Sequence, residues 1–273
     1  MDKFFKNIKK TNGIWNVLQE KKTVSYPEDG SENFVKVEEN SFWFIHRNNC
    51  IEKIINLFNE EKILFDIGGG NGFVSKAVLK TGVKPVIIEP DIKGVLNAKN
   101  RGFKNLINAS FEDLDVIKNT LPSIGIFDVL EHIKDDKDFL LSLNKALKEK
   151  GKLFLTVPAY NFLWSNEDRH DGHYRRYTNK QIIKLLKDSN FKVIYSTYIF
   201  SILPIPIFIL RTIPSLFNKK KKIFEEEAKE HSAGILDKFF SFVFNIELNY
   251  LKKKKRIIFG GSLLIVAEKN DCI

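Results

Sequence analysis

From Ser41 onward the hydrophobic positions fall into two alternating rhythms. Phe42, Trp43, Phe44 and Ile45, then Ile51, Ile54, Ile55, Leu57 and Phe58, recur at roughly helical spacing and predict a helix that leads into an apolar run of strand character, Ile63 to Phe65. A helix-compatible segment, Val74 to Lys80, precedes a second apolar run, Lys84 to Glu89, which reads as a buried parallel strand. Asp91 to Asn100 suits a helix, and Asn105 to Ala109 and Ser123 to Phe127 supply the third and fourth strands. Phe139, Leu140, Leu143, Ala146 and Leu147 form one stripe, placing a helix over Asp136 to Lys150 that Gly151 ends. Lys152 to Val157 is a fifth strand, Thr178 to Ser189 a helix with Ile182, Ile183, Leu185 and Leu186 inside, and Phe191 to Tyr198 a sixth strand. Ile257 to Ala267 reads as a last strand containing Gly260 and Gly261. This order predicts an α/β fold, a Rossmann-like, doubly wound and mostly parallel seven-stranded sheet with ligands at the C-terminal strand ends.

The rest of the chain departs from that rhythm. Residues 1–40 are polar, with Gly13, Pro27 and Gly30 as breakers, so 1–60 is expected to be a lead-in and an N-terminal cap helix, 61–198 the core and 256–273 the final strand and tail. Residues 199–255 read as an insertion between the last two strands. Its first part, Ile199 to Leu210, is almost wholly apolar but broken by Pro204 and Pro206, and falls short of the roughly 20 residues of a bilayer crossing. Lys219 to Lys222 follow, then Ile235 to Leu251 with Phe239, Phe240, Phe242, Val243 and Phe244, then Lys252 to Arg256. Apolar segments that end in lysine clusters fit in-plane attachment to an anionic membrane, against the rival readings of a lid over the sheet or a dimer interface. A net charge of +10 over 273 residues also asks for an anionic partner. Nucleic acid is set aside, because the basic clusters adjoin aliphatic runs. Cys50 and Cys272 are too far apart in sequence to suggest a disulfide framework, and residues 1–20 lack a signal-like apolar run. The expected location is cytoplasmic, peripheral on the inner face of the membrane.

The candidate chemistry gathers after the first strand. Asp66-x-Gly68-x-Gly70-x-Gly72 sets an acidic residue and alternate glycines at a strand-to-helix turn, where backbone N–H groups can approach a ligand. Glu89, ending the second apolar run 23 positions after Asp66, is placed to accept hydrogen bonds from ribose hydroxyls, with Asp91 as a nearby competitor. The dinucleotide fingerprint needs glycine where this chain has Phe73, which argues against an NAD-dependent oxidoreductase.

With these motifs the sequence resembles the class I S-adenosylmethionine-dependent methyltransferases over roughly 41–198 and again at the last strand. Phe42-Trp43-Phe44 with Arg47, Phe127-Asp128-Val129-Leu130-Glu131-His132 and Leu155-Thr156-Val157-Pro158 are similar to the quinone-biosynthesis branch. The resemblance implies S-adenosylmethionine as cofactor, with Gly68, Gly70 and Gly72 around the methionine portion and Asp66 toward its ammonium. Glu89 would hold the ribose, Asn108 to Phe111 would edge the adenine, with Ser110 in that segment and Phe111 free to stack, and Asp128 would approach the methionine end. Arg47 either pairs with the cofactor carboxylate or is a surface cation on the cap helix.

For the acceptor, methyl transfer asks mainly for positioning and removal of a proton, so His132 and His173, with His170 beside them, are the candidate bases. Asp128-x-x-Glu131-His132 is similar to an acid-x-x-Glu-His pattern that binds a divalent ion in other methyltransferases, although it has Asp in place of the first Glu. No metal ligand is assigned, since Glu131 can cap the following turn and His132 can pack at the cofactor rim. Arg175 and Arg176 suit an anion, or equally ion pairs with Glu167, Asp168 or Asp171. The expected activity is O-methylation of a small or lipid-linked amphiphile, such as a quinone precursor or a polyprenyl-linked glycan. The competing expectation is a membrane-associated protein that binds S-adenosylmethionine without catalysis.

Overall fold

The computed structural model describes residues 1–18, 41–217 and 234–270. The nine strands are β1 (Ile8–Thr11), β2 (Ile14–Val17), β3 (Ile63–Ile67), β4 (Lys84–Glu89), β5 (Leu106–Asn108), β6 (Leu121–Phe127), β7 (Leu147–Pro158), β8 (Phe191–Ile199) and β9 (Ser262–Lys269). They form one sheet in the order β1-β2-β5-β4-β3-β6-β7-β9-β8. From β2 to β7 the neighbours run parallel, while β9 lies antiparallel between β7 and β8. The strand order reverses between β3 and β6, which opens a crevice at their C-terminal ends and fixes where a ligand can lie.

The expected seven strands are all present, and an antiparallel hairpin, β1–β2, adds two more on the β5 edge. Asn12 and Gly13 both take positive φ, 51° and 84°, as the tight turn between them requires. Phe4 and Phe5 precede the hairpin and pack edge to face on Phe65 of β3.

Alternation along each central strand divides the core between the two faces of the sheet. Phe65, Ile67, Ile124, Ile126, Leu153 and Leu155 face one side, where α4 (Asp136–Ala146) and α6 (Asn179–Asp188) cover them. Leu64, Phe154 and Leu264 face the other, beneath α1 (Phe42–Phe58) and α2 (Phe73–Leu79). The helix α3 (Ile92–Asn100) packs Val95 and Ala98 on Ile87 and Leu106. A short helix, α5 (Asn166–His170), lies in the long loop after β7.

Two boundaries differ from the periodic reading. The helix α4 stops at Ala146, and Leu147 already pairs with Leu121 as the first residue of β7. Both residues are buried, so the apolar stripe runs through the junction without a break. Gly260 and Gly261 precede the last strand instead of lying in it. At Gly260 the chain passes so close to β8 that a Cβ would stand 2.2 Å from the Ile199 carbonyl oxygen.

Between β8 and β9, α7 starts at Pro204–Ile207, widens into a π-helical turn at Phe208–Thr212 and closes at Ile213–Leu216. The second helix, α8 (Gly234–Lys252), packs on the cap helix through Phe240 and Phe244, which stack on Phe42. Glu247 fixes this contact. Its buried carboxylate accepts from the backbone N–H groups of Phe200 (2.9 Å) and Ser201 (2.6 Å) and from the Ser201 hydroxyl, and meets His46 Nε2 at 2.8 Å. Burial opposes that charge, but the hydrogen bonds from His46 and Ser201 outweigh it and hold the carboxyl below its ordinary range. Among the described residues no helix is long and apolar enough to cross a membrane. The Lys219 to Lys222 cluster lies outside the described residues.

Candidate active site

The crevice begins where β3 ends. Gly68, Gly70 and Gly72 all take positive φ (70°, 49° and 75°), a conformation that side chains resist. A Cβ at Gly68 would stand 2.6 Å from Val129, so this glycine also allows the turn to close on the segment after β6. A Cβ at Gly70 would meet nothing within 4 Å, which identifies the open side of the turn.

Two buried carboxylates frame that opening. Asp66 accepts from the Ser75 hydroxyl at 2.6 Å, and burial raises its pKa to about 6. Glu89 accepts from the backbone N–H groups of Gly70 (2.9 Å) and Asp91 (2.8 Å), so the competition expected from Asp91 is a hydrogen bond to its backbone. Burial lifts Glu89 to about 7, moderated by those same bonds. Each oxygen of Glu89 keeps a lone pair for ribose hydroxyls. Asn108 ties β5 to this corner by donating to the carbonyls of Glu89 and Pro90.

Two expected cofactor contacts lie differently. Phe111 sits in the core with 5% of its surface exposed, edge to face with Phe139, and a ring covered in this way is not open to stack on adenine. The Ser110 hydroxyl is occupied by Asp113 at 2.7 Å. Arg47 is not a surface cation: it is 9% exposed and donates from Nη1 to Asp128 at 2.5 Å. Asp128, itself at positive φ, is held on its other oxygen by Thr156. Arg47 Nε is buried without a hydrogen-bond partner among the described residues. An orphaned guanidinium donor in this crevice, the open turn at Gly70 and the spare lone pairs of Glu89 together fit a ligand carrying a carboxylate and a ribose.

The Asp128 segment continues into the second half of the site. Glu131 is almost wholly buried, and burial, reinforced by Asp128, pushes its carboxyl well above the usual range. Its Oε2 has no partner among the described residues, so this oxygen caps no turn. The Glu131 carbonyl accepts from Tyr174 N–H at 2.8 Å, which draws in the long loop and sets His173 edge to face against His132, 4.6 Å between ring centres. Burial and then the neighbouring His173 lower His132 to about 4, so its imidazole is neutral at physiological pH.

His173 has its own anchor. Its Nδ1 lies 2.9 Å from Oδ1 of Asp168, whose carboxylate also takes a two-pronged grip from Arg176, at 2.7 Å from Nε and 2.9 Å from Nη2. Burial would raise Asp168, but the hydrogen bonds from His173 and Arg176 prevail and hold it at about 2. Arg175 turns instead to Asp136 and the Lys134 carbonyl. Both arginines are therefore spent on fixing the loop. Side-chain ligand atoms of Glu131, His132 and His173 lie within 4.8 Å of one another. Asp128, the first member of the metal-like pattern, is engaged by Arg47 and Thr156.

Residues 42–196 match the family model described as a methyltransferase domain, more than half of the chain. The chain belongs to the class I S-adenosylmethionine-dependent methyltransferases. The chain is 29% identical over 116 residues to the mitochondrial ubiquinone biosynthesis O-methyltransferase of Schizosaccharomyces pombe. That match covers 40% of this chain and 42% of the relative's length. Among solved structures the methyltransferase fold is shared with phosphoethanolamine N-methyltransferase 2 of Haemonchus contortus in complex with S-adenosyl-L-methionine. That likeness has a TM-score of 0.56 at 16% identity and covers 91% of this chain and 58% of the other. It is also shared with a SAM-dependent methyltransferase of Archaeoglobus fulgidus, with a TM-score of 0.55 at 15% identity, covering 87% of this chain and all of that one.

Proposed function

We propose that this methyltransferase transfers the methyl group of S-adenosylmethionine to a hydroxyl of an amphiphilic or lipid-linked small molecule at a membrane surface, with His173 as general base. The observation that carries the reading is the Asp128–His132 segment. At one end it meets Arg47 in the cofactor crevice, and at the other it meets His173. Glu89 would hold the ribose, Arg47 the carboxylate and Asp66 the ammonium, and Gly68, Gly70 and Gly72 give the methionine portion room. Bound there, the cofactor supplies a methyl group already activated by its sulfonium. What the protein adds is position and a proton acceptor. Asp168 accepts from Nδ1–H of His173 and so leaves the Nε2 lone pair to take the acceptor's hydroxyl proton. His132, neutral, packs beside that ring and adds no competing charge. The O-methyltransferase relative in Schizosaccharomyces pombe supports oxygen as the methylated atom.

The test is incubation of the protein with labelled S-adenosylmethionine and a membrane lipid extract, followed by identification of the labelled product. The expected outcome is a labelled ether in the lipid fraction, absent with His173→Ala. Tight binding of S-adenosylhomocysteine with no transfer to any extract would favour a non-catalytic binding protein. Activity lost on exhaustive chelation and restored by a divalent ion would recast His132 and His173 as ligands.

A further inference from the structure

The outer side of α7 is apolar and uncovered. Ile205, Ile209, Leu216 and Phe217 are 53–74% exposed, and nothing among the described residues packs over them. Ile258 and Phe259, just before β9, extend the patch, Ile258 with 89% of its surface exposed. Monomeric proteins seldom leave so many large side chains open on one helix.

From this patch a row of rings leads to the C-terminal end of β7. Phe208 of α7 meets Phe162 edge to face at 6.1 Å, and Phe162 lies 5.2 Å from Tyr160, just beyond the C-terminal end of β7. Phe259 reaches the same Tyr160 at 5.4 Å. Lys252, Lys253, Lys254, Lys255 and Arg256, separated from Ile258 by Ile257 alone, are all exposed. Lys254 and Lys255 lean over the rings of Phe58 and Tyr250, and none of the five has a carboxylate partner among the described residues.

We propose that α7, with Ile258 and Phe259, seats in the surface of an anionic bilayer, and that Phe208, Phe162 and Tyr160 line the path of the acceptor's apolar tail from that surface to His173. Charge selects the occupant: a run of five cations beside exposed aliphatic and aromatic groups matches a layer with anionic headgroups above acyl chains. Among the described residues no helix is long and apolar enough to cross a bilayer, and the attachment proposed is in-plane. This inference deepens the proposed function and rests on it for the nature of the acceptor. The docking surface itself does not depend on the chemistry.

Co-sedimentation of the full chain with phosphatidylcholine vesicles, with and without phosphatidylserine, tests the surface. Binding to the anionic vesicles at low salt is expected, weakening as salt rises. The double variant Leu216→Glu/Phe217→Glu should lose about tenfold or more in the vesicle partition coefficient, while binding S-adenosylhomocysteine as the parent does, which shows that it is folded. Charge reversal at Lys252 and Arg256 should remove the preference for phosphatidylserine. A parent protein that stays in the supernatant, or a double variant that pellets with the parent, overturns the proposal. So does a concentration-dependent dimer that the double variant abolishes, because a second copy would then cover the face. Phe162→Ala should raise KM for a long-chain acceptor and leave KM for its short, water-soluble analogue unchanged; equal effects on both refute the tail path. Turnover of the short analogue without vesicles tests the methyltransferase reading separately, so that failure of docking and failure of the chemistry are distinguished.

Discussion

Replacing Asp168 with Asn tests the proposed base more sharply than removing the histidine, because the change is nearly isosteric. Asp168 is buried, accepts from His173 Nδ1 and holds Arg176 through both of its oxygens. An amide offers one acceptor oxygen and no charge, and it can present N–H₂ to Nδ1, which would put the imidazole proton on Nε2, the atom that must be free. The loss expected in kcat is about 10²-fold or more, the range for a misdirected general base. The stability cost follows from the carboxyl's shift from 3.8 to about 2, which corresponds to about 2–3 kcal/mol. A depressed carboxyl contributes stability that is present above its unfolded value of 3.8 and is lost as pH falls through about 2. At neutral pH the variant forfeits all of it. Thermal melts and steady-state rates at saturating substrate separate the two effects. A folded variant with parental kcat would refute the role given to Asp168.

Other perturbations probe the cofactor side and the frame. With Asp66 raised to about 6 and Glu89 to about 7, the carboxylates that would accept from ammonium and ribose form only as pH rises through those values. Titration calorimetry should therefore find S-adenosylhomocysteine binding tighter at pH 8 than at pH 5.5, by roughly tenfold or more, with the upper part of the rise missing in Glu89→Gln; affinity flat with pH counts against both assignments. The sign for stability is opposite, since a raised carboxyl favours the folded state at low pH, and Glu89 lowers the stability of the cofactor-free protein as pH climbs from 4.5 to about 7. Glu247→Ala would strand the N–H groups of Phe200 and Ser201 in a buried place, and a loss of about 3–5 kcal/mol is expected in urea unfolding; a loss below about 1 kcal/mol would mean that water replaces the carboxylate. Gly260→Ala should cost about 3 kcal/mol or more, because backbone must move to relieve a 2.2 Å approach to Ile199. An unchanged melting temperature would show that this crossing is soft.

The parts legible from sequence were those where local chemistry and global fold coincide. Apolar runs closed by Asp66 and Glu89 gave away the two strands that frame the crevice, and glycine meets the positive φ values between Asp66 and Phe73 at least cost. The hairpin was hidden by its brevity, four residues in each strand amid lysines, although Asn12-Gly13 is the turn signal that would have revealed it. Asp168 sits in a run of charges, Glu167 to Asp171, where nothing local distinguishes the one carboxylate that folds inward. Its role emerges only when Tyr174 pairs with Glu131 and the loop turns over. Phe111 misled for a related reason: an aromatic at a strand end serves a cofactor or a core equally well, and here Phe139 claims it.

The N-terminal hairpin also bears on how this sheet stays out of trouble. Without β1 and β2 the outermost strand on that side would be β5, whose buried Leu106, Ile107 and Asn108 would offer open backbone groups to any passing chain. With the hairpin in place the terminal strand is β1, four residues long, and Lys9 and Lys10 are exposed along it. A short, charged border of this kind is a poor template for strand addition. A version of the protein trimmed to begin at the cap helix would keep every candidate site residue and yet lose Phe4 and Phe5 from beneath Phe65. Its weakness should appear as aggregation before it appears as lost affinity for the cofactor.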